Sequence, residues 1–419
     1  MIHQPAHITH IKGKPMENSV VLEIGTSEIR LMAGELRDDG MLIVTGIESV
    51  KSKGIRKGEI QNRDLVITSL REAIKKTETI LHKNIHAVHL VTSAGGVQSK
   101  INTGIFNLVD PDENVSQEIT EEDIAEVIEI ARCTTLPENR IKLHTLQQYF
   151  QVDDTYGIIN PLQMTGSDLR LDMLTIHGKR STVHNFQKLV DDVPITCLDA
   201  AFSGLCAALS VLTNEQKKMS TLVIDLGAGT TDFVIYANGL VQTAGSIPVG
   251  GDHLTNDISV GLTISLQQAE EIKKRDGTAL TNRLERERTI SIPAQRGFSA
   301  RMIRAATLNT IISARMEETL SFIKDHIDHY CPNIPLSGGV LLTGGGAYLT
   351  GIRDLGEKIF NVPCSRGKPY DVQGLPATET PRFATLIGCL RYEESLKKPE
   401  KKPSRFKKII RSIWGGNHE

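Results

Sequence analysis

Aromatic side chains are scarce in this 419-residue chain, at 4% with a single tryptophan. That scarcity removes most base-stacking modes of nucleic-acid binding. A charge excess is also missing: 48 Lys and Arg face 50 Asp and Glu, a formal −2, whereas a dedicated nucleic-acid binder needs a basic footprint. No run of 18 apolar residues occurs, so no segment reads as a membrane-spanning helix. The N-terminus lacks the apolar core of a signal peptide. The six cysteines (133, 197, 206, 331, 364, 389) form no C-x-x-C pair and have no nearby histidine pair. A zinc site is therefore not expected, and a reducing, cytosolic compartment is the simplest reading. At about 150 residues per domain the length suggests two or three domains with a core large enough to need no staples.

What is present is unevenly placed. Between Lys397 and Arg411 stand eight basic residues and one acid, a local +7, which leaves −9 on the rest. A basic tail of this kind points to an acidic partner or surface.

Residues 1–19 read as a flexible polar leader, with Met16 as an alternative start. A strand, turn and strand follow over Val20 to Ile24, Gly25 to Ser27 and Ile29 to Ala33. Helical spacing covers 64–82. Strands are expected from Ala87 to Ile105, near 144–152 and over 168–177. Thr120-x-x-Asp123 before Ile124, Val127, Ile128 and Ala131 predicts a capped helix. A small-residue helix is expected over 199–212, helical stretches over 252–277 and 299–329, and a buried strand over Val340 to Thr343. Residues 395–404 are charged and proline-broken, a solvated linker.

The informative object is a repeat. Val21-Leu22-Glu23-Ile24-Gly25-Thr26-Ser27 is echoed by Val223-Ile224-Asp225-Leu226-Gly227-Ala228-Gly229-Thr230-Thr231. Each is an apolar strand ending in a carboxylate, then a glycine turn, then hydroxyl residues. Glycine lets backbone N–H groups approach an anion closely, and hydroxyls add donors. The carboxylates Glu23 and Asp225 suit a hydrated Mg²⁺ held against phosphates. A single copy reads equally as an ordinary β-hairpin. Two copies some 200 residues apart suggest two related domains gripping one triphosphate. Gly344-Gly345-Gly346, after a buried strand, reads either as a turn or as a flat backbone surface for a purine and ribose.

Together with Asp199-Ala200-Ala201-Phe202-Ser203-Gly204 and Phe383-Ala384-Thr385-Leu386-Ile387-Gly388, these segments resemble the actin, chaperone and sugar-kinase superfamily. Within it the chain resembles the bacterial cell-division family FtsA from about Val20 onward. Further family-like stretches are Glu118 to Arg132, Pro161 to Gly166, Gly250 to Ile258 and Ala269 to Gly277.

The resemblance implies an α/β, actin-like two-domain fold: duplicated RNase-H-like cores around a nucleotide cleft, an α/β insert domain and a C-terminal amphipathic helix. The expected divisions are a first domain of 20–85, 168–218 and 380–394, and an insert of 86–167. The second domain is expected over 219–379, with 250–334 as its outer part. It also implies roles. Gly25, Thr26 and Ser27 hold one side of the phosphates of ATP, and Gly227, Gly229, Thr230 and Thr231 the other. Glu270 and Lys273 meet ribose and adenine, although their i, i+3 spacing alone reads as a surface ion pair. Gly344, Gly345 and Gly346 carry the adenosine, and Asp199 orients the attacking water. The family usually has Asp where Glu23 stands, Lys where Glu28 stands and Glu where Asp199 stands. A displacement of about 1 Å can cost about 10²-fold in rate, so ATP binding with weak or absent hydrolysis is expected.

The tail carries its own signal. Phe406, Ile409, Ile410, Ile413 and Trp414 fall at i, i+3, i+4, i+7 and i+8, with Arg405, Lys407, Lys408 and Arg411 elsewhere on the wheel. That is the pattern of an interfacial helix on anionic lipid. Implied partners are FtsZ, further copies of the chain, other division proteins and anionic membrane lipids, with no nucleic acid. The implied location is the inner face of the cell membrane at the division septum. A pilus-assembly adaptor of the PilM type has a similar core and insert and is the alternative.

Overall fold

The computed structural model describes residues 19–397 except 94–95, 110–115, 134, 281–286, 295–298 and 377–378. Two sheets organise them. The first has six strands in the order Thr196–Phe202, Ala87–Thr92, Ser19–Ile24, Glu28–Leu36, Leu42–Lys51 and Val372–Gln373. The second has nine: Thr155–Ile158, Arg140–Val152, Asp168–Lys179, Gln98–Asn107, Leu240–Ile247, Thr231–Ala237, Thr221–Leu226, Gly339–Thr343 and Cys364–Arg366.

The repeat seen in the sequence is a repeat of topology. Ser19–Ile24 pairs antiparallel with Glu28–Leu36 and parallel with Ala87–Thr92. Thr221–Leu226 pairs antiparallel with Thr231–Ala237 and parallel with Gly339–Thr343. Every residue of the strands Thr221–Leu226 and Thr231–Ala237 is buried, as strands covered on both faces must be.

Helices cover the sheets. Arg63–Leu81 starts at the Asn62 cap and turns Val66, Leu70, Ala73 and Ile74 into the first core. Ala384–Lys397 packs on the same sheet and on helix Ser203–Val211, with Leu386, Ile387 and Leu390 fully enclosed. Leu222, Ile224 and Phe233 of the second sheet share a core with Gly251–Leu262, Leu266–Asp276 and the 26-residue helix Ala305–Tyr330. The predicted capping box is present: Asp123 N–H donates to Thr120 Oγ1, and Thr120 N–H to the Asp123 carboxylate.

Four expectations change. The stretch 252–277 is two helices, broken where Thr263 takes a left-handed conformation. The stretch 299–329 opens with a strand, Arg301–Arg304. Residues 199–202 continue a strand instead of starting a helix, because Ala200 to Phe202 pair with Leu90 to Thr92 of the first sheet. The insert limits of 86 and 167 also disagree with the strand pairing. Ala87–Thr92 belongs to the first sheet, and Asp168–Lys179 lies between Gln98–Asn107 and Arg140–Val152. Among the described residues no helix is long and apolar enough to cross a membrane.

Candidate functional site

Both hairpin turns close with the same bond. Gly25 N–H donates to the Glu28 carbonyl at 3.0 Å, and Gly227 N–H to the Thr230 carbonyl at 3.0 Å. A β-carbon at Gly25 or Gly227 would stand 2.9 or 2.8 Å from that acceptor, so glycine is required at both. The two turns face each other. Thr26 Oγ1 accepts from Gly58 N–H at 3.0 Å, and a β-carbon on Gly229 would lie 2.2 Å from the same oxygen. Beside this contact opens a small cavity of about 30 Å³, lined by Glu23, Gly25, Thr26, Gly58, Ser93 and Thr230 among others.

The carboxylates have different surroundings. Glu23 lies opposite Arg30 and forms an ion pair with it at 2.9 Å, while Thr385 Oγ1 donates to it at 3.0 Å. Glu28, at the position where a lysine was expected, is held by Arg382 at 2.9 and 2.7 Å. In the second hairpin Asp225 lies opposite another carboxylate, Asp232. Burial first, then the charges of Asp232 and Glu23, push Asp225 up to about 7, against the hydrogen bond from Thr343. Burial also raises Asp232, which accepts from Ser93 at 2.7 Å and from Ser203. Among the described residues no three His, Cys, Asp or Glu side chains converge to hold a metal directly. Two buried facing carboxylates beside the glycine turns fit a cation reached through water.

Behind the second hairpin stands the triple glycine. Gly344 has φ 77°, and a β-carbon there would lie 2.6 Å from Asp225 Oδ1. Gly345 faces open space, with nothing within 4 Å of its β-carbon position, and Gly346 abuts Leu226. Glu270 and Lys273 are not a surface pair. Lys273 Nζ lies 2.5 Å from Glu270 and donates to the Gly251 carbonyl at 3.1 Å, while Gly251 N–H donates to Gly227. Burial alone would raise Glu270, but the Lys273 charge and bonds from Lys273, Thr255 and Lys274 bring it to about 2. The structure thus joins Gly227, Asp225, Gly344 to Gly346, Glu270 and Lys273 in one body.

Asp199 does not join them. A bulge between Cys197 and Asp199 leaves Leu198 half exposed and turns the Asp199 carboxylate back onto its own chain, where it accepts from Ala200 N–H at 2.7 Å. Its charge is felt by His144 and Tyr392, and it is not among the residues lining the cavity. Sequence reasoning missed Gly58, Ser93 and Asp232. The glycines flanking Arg56 and Lys57 marked a turn, and Thr-Thr-Asp marked a carboxylate facing Asp225. Arg405 to Trp414, the expected membrane segment, lie outside the described residues.

Comparison with known proteins places this geometry. The family description "Cell division protein FtsA" matches residues 222–388, and "SHS2 domain inserted in FTSA" matches 95–177. The chain is 31% identical over 388 residues to the cell division protein FtsA of Neisseria meningitidis serogroup B, covering 91% of this chain and 92% of the relative. The chain belongs to the FtsA family of cell division proteins. The FtsA of Pseudomonas aeruginosa is 30% identical over 374 residues, and that of Escherichia coli K12 27% over 390. Among solved structures, the PilM–PilN type IV pilus biogenesis complex matches with TM-score 0.60 at 15% identity, covering 90% of this chain and 98% of that one. MreB5 of Spiroplasma citri bound to ADP matches with TM-score 0.52 at 15% identity, covering 91% and 97%. These likenesses show the actin-like fold. The SHS2 match encloses Gln98–Asn107, Glu121–Arg132, Arg140–Val152 and most of Asp168–Lys179, in accord with the strand pairing.

Proposed function

We propose that this FtsA-family chain binds ATP between its two domains, polymerises on the inner face of the cytoplasmic membrane, and tethers the FtsZ ring there through its C-terminal amphipathic segment. The observation that carries the nucleotide part is the pair of matching glycine turns facing each other, with the open Gly345 behind them. The ADP named in the MreB5 title belongs to a protein of the same fold and supports the reading.

In this reading the amides and hydroxyls of Gly25 to Ser27 and of Gly227 to Thr231 hold the phosphates. Glu270 and Lys273 meet the ribose side, and Gly344 to Gly346 offer the base a surface free of side chains. Mg²⁺ would be held through water by Asp225 and Glu23, where it would neutralise phosphate charge. Hydrolysis is weak or absent in this reading, because Glu23 and Asp199 differ in side-chain length from the family pattern and a displacement of about 1 Å can cost about 10²-fold in rate.

In the tail, each base contributes about 1 kcal/mol near an anionic surface, and each inserted large apolar side chain up to about 1.5–3 kcal/mol. Ordering some eleven residues opposes this at roughly 1–2 kcal/mol each. One copy therefore attaches reversibly and a filament attaches strongly. FtsZ, further copies of the chain, other division proteins and anionic lipids are the partners, at the septum. A PilM-type adaptor shares the fold, but the 31% identity to an FtsA over nearly the full length favours the division role.

Sedimentation of the full chain with phosphatidylglycerol-rich vesicles tests the anchor. The parent should pellet, more fully with ATP, and the blue shift of Trp414 emission should accompany binding. Removing 404–419, or Trp414→Glu, should leave the protein in the supernatant at any ionic strength. Pelleting of Trp414→Glu would refute the anchor.

A further inference from the structure

Between the first-domain strand Leu42–Lys51 and helix Arg63–Leu81 the chain makes a small hairpin, Ile55–Arg56 paired with Glu59–Ile60. Its neck is tied. Gln61 and Asn62 N–H both donate to the Gly54 carbonyl, at 2.7 and 3.0 Å, and Ser52 N–H donates to the Ser27 carbonyl at 2.9 Å. Ile55 and Ile60 pack against the first-domain core. The tip turns through two left-handed residues, Lys57 at φ 54° and Gly58 at φ 71°. A left-handed lysine is strained.

This turn reaches the cleft from outside both hairpins. Gly58 N–H donates to Thr26 Oγ1, Gly58 lines the cavity, and a β-carbon on it would stand 2.8 Å from Thr230 Cγ2. Arg56 and Lys57 are exposed, and neither makes an ion pair among the described residues. Across the cleft, Lys57 is the foremost charge lowering His253, after burial, and Arg56 acts on Asp252. Both partners open helix Gly251–Leu262 of the second domain.

The charges around the cleft show what the turn supplies. Glu23, Asp225 and Asp232 put three carboxyl groups there, Arg30 is paired with Glu23, and Lys273 is paired with Glu270. A triphosphate placed between the hairpins needs positive charge that these pairs do not release. We propose that Arg56-Lys57-Gly58 is a third phosphate-binding element of the cleft, in which the Lys57 ammonium, seconded by Arg56, engages the terminal phosphates of the nucleotide. The Gly58 turn, fixed on Thr26 and against Thr230, sets where that charge stands. This inference rests on the ATP reading above.

Calorimetric titration of the full-length chain with Mg·ATP, ADP and adenosine tests it. Lys57→Gln should weaken ATP binding about tenfold, ADP binding less, and adenosine binding by no more than about twofold. Lys57→Arg should restore most of the loss, and Arg56→Gln should act in the same direction more weakly. An unchanged ATP affinity in Lys57→Gln, or an equal loss for all three ligands, would overturn the assignment while leaving the nucleotide reading intact. A parent protein that binds none of the three would overturn both.

Discussion

Acidification should loosen the junction between the insert, the first sheet and the last helix, and His144 gives the effect a size. Its imidazole stands on strand Arg140–Val152 and is 5% exposed. Nε2 accepts from the Phe202 N–H at 2.9 Å, so that nitrogen carries no proton in the folded state. Nδ1 faces the Tyr392 hydroxyl at 3.3 Å, and the two rings meet edge-on at 5.3 Å. Burial drives the imidazole down to about 4, and the nearby Asp199 charge offsets only part of this.

The unfolded chain protonates near pH 6.5. Between pH 6.5 and 4 it therefore binds a proton that the folded state refuses, and stability falls as pH falls. At about 1.4 kcal/mol per unit the loss is about 2 kcal/mol between pH 7 and pH 5, approaching about 3 kcal/mol at pH 4. Other groups titrate over the same range, so the decisive quantity is a difference between proteins. His144→Gln keeps an acceptor for Phe202 and removes the titration. Urea unfolding at pH 7, 6 and 5 should show the parent losing about 2 kcal/mol more than His144→Gln. Parallel pH dependences for the two proteins would refute the argument.

Two substitutions read the packing directly. Gly345→Val adds its side chain to open space, so the unfolding midpoint should hold while nucleotide affinity falls by about tenfold or more. Unchanged affinity in calorimetric titration would remove the adenosine surface from the proposal. Gly388→Ala sets a β-carbon 1.6 Å from the Cys206 carbonyl oxygen, a backbone atom unable to give way, so helices Ala384–Lys397 and Ser203–Val211 must part. Denaturant unfolding should show a loss of about 3 kcal/mol or more, and a parent-like midpoint would contradict the close crossing.

Local chemistry explains what the sequence disclosed. Apolar strands ending in carboxylate and glycine, followed by hydroxyl residues and a second apolar run, read as tight hairpins, and both close with the same glycine-to-carbonyl bond. The box at Thr120 and Asp123 located its helix because both partners lie within one turn. The backbone at Asp199 is a feature that spacing does not carry. A single-residue bulge at Leu198 shifts the strand register there, and small residues after it suit a strand as well as a helix. Glu28 looked like a lost cation, yet Arg382 pairs with it from 354 residues away.

The insert limits failed through a longer-range effect. The segment leaves the first domain after Thr92, and strand Gln98–Asn107 starts beside Leu240–Ile247 of the second sheet, with Gln98 opposite Gly245. Ser99 Oγ accepts from Ala244 N–H at 2.9 Å, and the Val97 carbonyl accepts from Ser246 N–H on the same edge at 2.9 Å. Val97, Leu146, Leu174 and Ile176 then share one core with Phe202, Leu205, Val223, Val234 and Ala244. The insert is therefore packed as part of the second sheet although it is threaded through the first domain. The cleft lies between the first hairpin and this larger body, so a movement that separates Thr26 from Gly229 must be taken up where the chain passes between the two sheets. The chain makes that passage four times, after Thr92, between Lys179 and Thr196, between Phe202 and Thr221, and between Arg366 and Val372, and Ser93 and Ser203, beside two of these passages, both donate to Asp232.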